Sequence, residues 1–245
     1  MAMTHRVYFL LAGLLALAPV GPLCAQVAPG GSSVVGVGLA LRQADGVKRV
    51  LMVGAHPDDE DTGLLAALAR GMGVETAYLS LTRGDGGQNL IGPELGERLG
   101  IIRTGELEAA RRLDGARQFF TRAYDYGFSK SADEAFSHWP GAEVLRDVVS
   151  VIRTFRPQVI VSVWSGTTRD GHGQHQASGI LTTEAFDAAA DPDRFTDLPG
   201  LASQPWRTDK LYQSVRFRGP TSVEAPVNVP TGTFDPLLGR SLFQL

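Results

Sequence analysis

Apolar positions recur along the chain with two alternating periods. Short continuous runs fall at Arg49-Val50-Leu51-Met52-Val53-Gly54, at 74–81, at 118–121, at Gln158-Val159-Ile160-Val161-Ser162-Val163-Trp164 and at 210–217. Runs of this length, rich in β-branched residues and bounded by Gly, Pro or charge, predict buried strands. Between them the spacing widens to three and four. Leu64, Leu65 and Leu68 predict a helix over 61–71 that stops at Gly71 or Gly73, and a second is predicted over 97–112. Val144, Val148, Val151 and Ile152 put a third over 143–155, closed before Pro157, and a fourth follows over 176–190. Strands alternating with helices predict an α/β fold, a mainly parallel sheet with helices on both faces and right-handed crossovers. Its core spans about 47–217.

The two ends follow different rules. A short basic start through Arg6, the apolar run from Val7 to Val20 and small residues near Ala25 predict a secretory signal peptide over 1–25. The mature protein is then periplasmic or secreted. The apolar run is shorter than the ~20 residues that span a bilayer, so no stable membrane span is expected in the mature form. Pro22-Leu23 before Cys24 argues against a lipoprotein site. Residues 26–46, with Pro29-Gly30-Gly31-Ser32-Ser33, predict a flexible lead-in. Residues 218–245 read as an irregular tail broken by Pro220, Pro226, Pro230 and Pro236. Its apolar finish (Leu237, Leu238, Leu242, Phe243, Leu245) predicts packing on the core or continuation into a further region.

Composition narrows the chemistry. A net charge of −3 is too small and of the wrong sign for a phosphate-neutralising surface, which excludes nucleic acid as the expected partner. The single cysteine, Cys24, lies in the leader, so any metal has to be held by His and carboxylates. In open parallel sheets, ligands bind beyond the carboxyl ends of the strands, where crossovers diverge. No GxGxxG, P-loop or GxSxG signature stands there. Instead Gly54-Ala55-His56-Pro57-Asp58-Asp59-Glu60 follows the first strand. Pro57 and the acids after it would suit a helix start. His56 and Asp59, three apart, could also converge on one point with Asp58 directed elsewhere. The second cluster, Asp170-Gly171-His172-Gly173-Gln174-His175, follows the strand ending at Trp164. Of five histidines, four lie beyond the leader, and three of those fall in these two places. If the two strands are neighbours, a His/Asp/His set with an open position for water becomes available to a metal.

Ala55-His56-Pro57-Asp58-Asp59-Glu60 resembles the signature of the PIG-L (LmbE-like) zinc-dependent N-deacetylases, and His172-Gly173-Gln174-His175 resembles their second histidine motif. The resemblance implies a Rossmann-like, LmbE-like sheet. It implies Zn2+, or another divalent metal such as Fe2+, on His56, Asp59 and His175, with Asp58 as general base and His172 stabilising the oxyanion. Arg83 and Asp85, in the Gly-rich segment after the second strand, would contact substrate. The substrate class so implied is a small-molecule or glycan N-acetylglucosamine-type amide. The chain departs from the family at Gly173-Gln174, where many members carry Pro-Asp, and Asp170 is a candidate for the missing carboxylate's role. Trp139 and Trp164 are placed in core or rim packing. A metal-assisted phosphoesterase and a carbohydrate-binding protein with a degenerate site are the alternatives.

Overall fold

The strands β1 (Arg49–Gly54), β2 (Glu75–Ser80), β3 (Arg117–Phe120), β4 (Val159–Ser162) and β5 (Lys210–Gln213) form one parallel sheet in the order β3-β2-β1-β4-β5. This computed structural model describes residues 33–45, 48–87, 89–215 and 227–245. The predicted leader, the start of the lead-in and residues 216–226 of the tail region lie outside them.

β1 is the central strand, with Val53 opposite Leu79 of β2 on one side and Ser162 of β4 on the other. Successive strand residues point to opposite faces, and both faces of a parallel sheet are covered, so the strand reads as a continuous apolar run. Leu51 and Val53 pack against α5 (Gly141–Phe155) and α6 (Gly173–Ala190) through Val144, Val148, Ile152, Ala177 and Leu181. Met52 points the other way, to Leu65 of α2 (Thr62–Ala66) and Leu107 of α3 (Glu97–Asp114). The chain therefore leaves β1 towards one face and β4 towards the other. The crevice between their carboxyl ends is the topological switch point, and both histidine clusters open into it.

Several boundaries differ from the sequence pattern for local reasons. The helix after β1 starts at Thr62, one residue past its predicted start, because the Asp61 side chain caps it by accepting from Leu64 N at 3.0 Å. Residues 55–60 are consequently a loop, and Pro57 does not open a helix. α6 starts at Gly173, with His172 as its cap. A short helix, α4 (Ala132–His138), has too few apolar positions to show a period.

The lead-in, expected to be flexible, contains a helix, α1 (Val34–Asp45). Its glycines disfavour a helix, and packing overrides them. Leu39 joins Ala67, Leu238 and Leu242 in a satellite cluster, and Arg42 pairs with Asp235 at 2.6 Å. The tail supplies the other half of that cluster through a small hairpin, β6 (Phe234–Asp235) and β7 (Arg240–Ser241). It thus packs on the outer face of α2. No described helix is long and apolar enough to cross a membrane.

Candidate metal centre

The loop after β1 is built around one carboxylate. Asp59 Oδ2 accepts from Ala55 N at 2.7 Å, His56 N at 2.9 Å and the Trp164 indole N–H at 2.8 Å. Its other oxygen, Oδ1, lies 3.6 Å from His175 Nε2. Three donors on one oxygen leave the second aimed at the histidines. Asp58 takes a φ of 120°, in the region that disfavours side chains. Its amide donates to Glu60 Oε2 at 3.0 Å, and Glu60 is held in turn by buried Arg111. Strain of this kind persists only where neighbours over-determine it. Gly54 is required at the strand end, since a Cβ there would stand 2.5 Å from the Tyr78 hydroxyl and 2.9 Å from Asp59 Cβ. Gly54→Ala is expected to destabilise by ~1–3 kcal/mol through overpacking. By moving Asp59 it should also lower the metal content of the purified protein. Thermal unfolding and metal analysis check the two effects.

The second cluster sits on the first turn of α6. His172 Nδ1 accepts the capping hydrogen bond from Gln174 N at 3.1 Å. Gly173 approaches so closely that a Cβ would lie 2.2 Å from Ser131 O. His175 stacks on Trp164, ring centroids 3.6 Å apart and planes 7° from parallel. Its Nδ1 faces the Asp170 carbonyl at 3.4 Å, an acceptor only, which leaves Nε2 with its lone pair toward Asp59. Burial, with His56 and His172 alongside, pushes the His175 pKa down to about 3, so the ring is a neutral donor. Burial and the nearby His56 also lower His172.

The structure brings His56, Asp59 and His175 together, each offering a ligand atom within 4.8 Å of the others. Two bare imidazole nitrogens and one bare carboxylate oxygen are the donor set expected for a catalytic zinc or iron site. Asp58 stands beside this cluster with its side chain 71% exposed and Oδ2 accepting from Arg103 Nη2 at 2.9 Å. Partial burial raises its pKa by taking water from the carboxyl, Arg103 opposes the rise and Asp59 adds to it. His172 lies 4.8 Å from His175 and 5.2 Å from His56, ring to ring. A cleft of about 430 Å³ opens in front of these groups, lined by Phe128, Trp164, Arg169, His172, His175 and Ser214 among others.

No contact of the expected substrate residues Arg83 and Asp85 with the three ligands is seen among the described residues, and both pack locally. The Arg83 guanidinium sits over the Phe120 ring at 4.1 Å and donates to Thr104. Asp85 packs against Gly100 at the start of α3 and faces Asp125 N. Nor does the Asp170 carboxylate reach an imidazole: it accepts from Ser165 N, Ser165 Oγ and Gly166 N, and so braces the loop after β4. The cation on Asp58 is Arg103, which also donates to Pro57 O. The sequence pattern places it only within the helix predicted over 97–112. Its signal is positional, because the first turns of a helix entered from a strand's carboxyl end lie at the same sheet edge. Trp164, expected only to pack, orients two of the three ligands.

Residues 51–186, more than half of the chain, match the family model described as PIG-L, GlcNAc-PI de-N-acetylase. The 1D-myo-inositol 2-acetamido-2-deoxy-alpha-D-glucopyranoside deacetylase of Geodermatophilus obscurus is 33% identical over 183 residues, covering 67% of this chain and 60% of that protein. The enzyme of the same name from Thermobispora bispora is 32% identical over 189 residues, covering 70% of this chain and 60% of that protein. The chain thus spans about 60% of the length of these curated relatives. Among solved structures, the N,N'-diacetylchitobiose deacetylase from Pyrococcus horikoshii aligns with a TM-score of 0.49 at 24% identity, over 66% of this chain and 57% of that one. On the family match, the chain belongs to the PIG-L family.

Proposed function

We propose that this chain is a metal-dependent N-deacetylase that removes acetate from an N-acetylglucosamine-type sugar, and that it works outside the cytoplasm. The observation that carries the reading is the convergence of three bare ligand atoms, on His56, Asp59 and His175, beside a carboxylate that is not one of them. The cellular address rests on the leader pattern over 1–25 alone. A divalent cation on the three ligands supplies a Lewis acid for the amide carbonyl and lowers the pKa of water to about 7. Zn2+ is the first candidate and Fe2+ the second, since both accept imidazole and carboxylate donors.

The chain's own groups supply the remainder. Asp58 takes the proton of the attacking water and returns it to the leaving nitrogen. Arg103 fixes one of its oxygens while the side chain stays exposed to solvent. Because His172 Nδ1 accepts the Gln174 N–H, the neutral ring carries its proton on Nε2. That N–H is the donor for the developing oxyanion, a contribution of ~3 kcal/mol in comparable sites. A phosphoesterase would clamp its substrate with cations; Arg103 is paired with Asp58 and Arg169 lines the cleft, so the release of acetate or of phosphate separates the two readings. The substrate class follows the relatives' names, which specify an acetamido-glucopyranoside of inositol.

Acetate release from that inositol glycoside and from simple N-acetylglucosaminides is the test. Release that a chelator abolishes and Zn2+ or Fe2+ restores is expected. Chelator-resistant release, or turnover of phosphoesters only, overturns the reading.

A further inference from the structure

Gln174 is fully buried in the first turn of α6, in contact with two of the three clustered histidines. Its side-chain amide faces Gly127 O at 2.8 Å and Asp125 Oδ1 at 3.3 Å. A carbonyl oxygen can only accept, so the amide must turn its NH2 end to this side. Oε1 is thereby directed at His56 Nε2, 2.9 Å away. An amide oxygen has no proton to give, so the hydrogen sits on His56 Nε2. His56 Nδ1, on the side of Asp59, keeps its lone pair. The backbone N–H of the same residue donates to His172 Nδ1, which places that ring's proton on Nε2.

We infer that Gln174 is a positioning residue that assigns the protons of two imidazoles at once. Its side chain decides which nitrogen of His56 is bare for a metal, and its backbone decides which nitrogen of His172 can donate into the cleft. The residue type follows from the surroundings. The buried space presents two acceptors and one donor, and a primary amide is their complement. A carboxylate there would keep an acceptor for His56 but would set a second negative group beside Asp125. An apolar side chain would fill the volume and leave the His56 tautomer unassigned. Asp170 is not needed for this role, because its carboxylate is spent on the loop after β4. The purpose given to the assignment rests on the proposed metal-dependent reaction, whereas the tautomers themselves do not.

Imidazole 1H–15N correlation spectra of the metal-free full chain test this at about pH 9, well above the ordinary histidine pKa. His56 is identified by the signals lost in His56→Asn. His56 and His172 are both expected as Nε2–H tautomers. In Gln174→Met, His56 should become a mixture of tautomers, and its zinc dissociation constant, read by competition with a chromophoric chelator, should rise ~10- to 100-fold. His172 should keep its pattern in that variant, because its partner is a backbone N–H, and so reports that the helix start is intact. If Gln174→Met disturbs His172 as well, the wild-type spectrum decides. Gln174→Glu, which retains an acceptor oxygen, should keep His56 as Nε2–H. A wild-type His56 protonated on Nδ1 overturns the inference. So does a Gln174→Met protein with unchanged tautomer and zinc affinity, or a Gln174→Glu protein that behaves like it. Failure to release acetate from any N-acetyl sugar, with these tautomers in place, sinks the deacetylase reading instead.

Discussion

Asp58→Asn is expected to keep its metal and to lose ~100- to 10,000-fold in kcat, the range ascribed to a positioned general base. The geometry makes this a clean exchange. Asp58 Oδ2 accepts from Arg103 Nη2, so the asparagine carbonyl takes that place and its NH2 replaces the other oxygen, unpaired among the described residues. An amide nitrogen there cannot take a proton from water. The backbone gains little new strain, because Asn and Asp tolerate the positive φ of 120° better than other residues with a side chain. Asp58 gives no atom to the His56–Asp59–His175 cluster, so zinc content should stay at the wild-type level. Metal analysis beside steady-state acetate release checks both halves. Loss of metal in this variant would make Asp58 a ligand, and full turnover would remove it from the reaction.

What the sequence made legible is what depends on short-range pattern. β1 and β4 were readable because a parallel strand covered on both faces is apolar throughout, and their loops could be found because ligands collect at strand carboxyl ends. His56, Asp59, His172 and His175 were therefore candidates before any coordinates. The pairing of β1 with β4 then turned two loops into one cleft. The supporting groups were not readable in the same way. Arg103 reaches Asp58 across 45 residues, and Trp164 reaches Asp59 across 105. No local period encodes such contacts. The helix start, predicted at residue 61, falls at Thr62, and a single side-chain bond from Asp61 decides it over the alternative that Pro57 offered. α1 was missed for the opposite reason: its composition opposes a helix, and distant residues of the tail stabilise it. Arg83 and Asp85 came to the substrate by resemblance alone, because their packing on Phe120, Thr104 and Gly100 has no short-range signal in the sequence.

Asp59→Asn is the same chemical change one residue further along, and its outcome should be the reverse of Asp58→Asn in metal content. Oδ2 of this buried carboxylate accepts three N–H groups, from Ala55, His56 and Trp164. The asparagine must put its carbonyl oxygen there, because the flipped rotamer would leave buried donors facing an NH2 at ~1–3 kcal/mol each. The NH2 then occupies the position of Oδ1, 3.6 Å from His175 Nε2. An amide nitrogen has no lone pair for a metal, and a shift of about 0.5 Å brings it within reach to donate to the very nitrogen that His175 would offer. Two ligands are thus blocked by one substitution while the fold keeps its hydrogen bonds. Zinc content should fall to background. Losing several kcal/mol of Lewis-acid stabilisation should cut acetate release by at least about 1,000-fold. The thermal midpoint should match that of the metal-free wild type. A variant that retains stoichiometric zinc would remove Asp59 from the ligand set and, with it, the reason for the three-donor grip on its other oxygen.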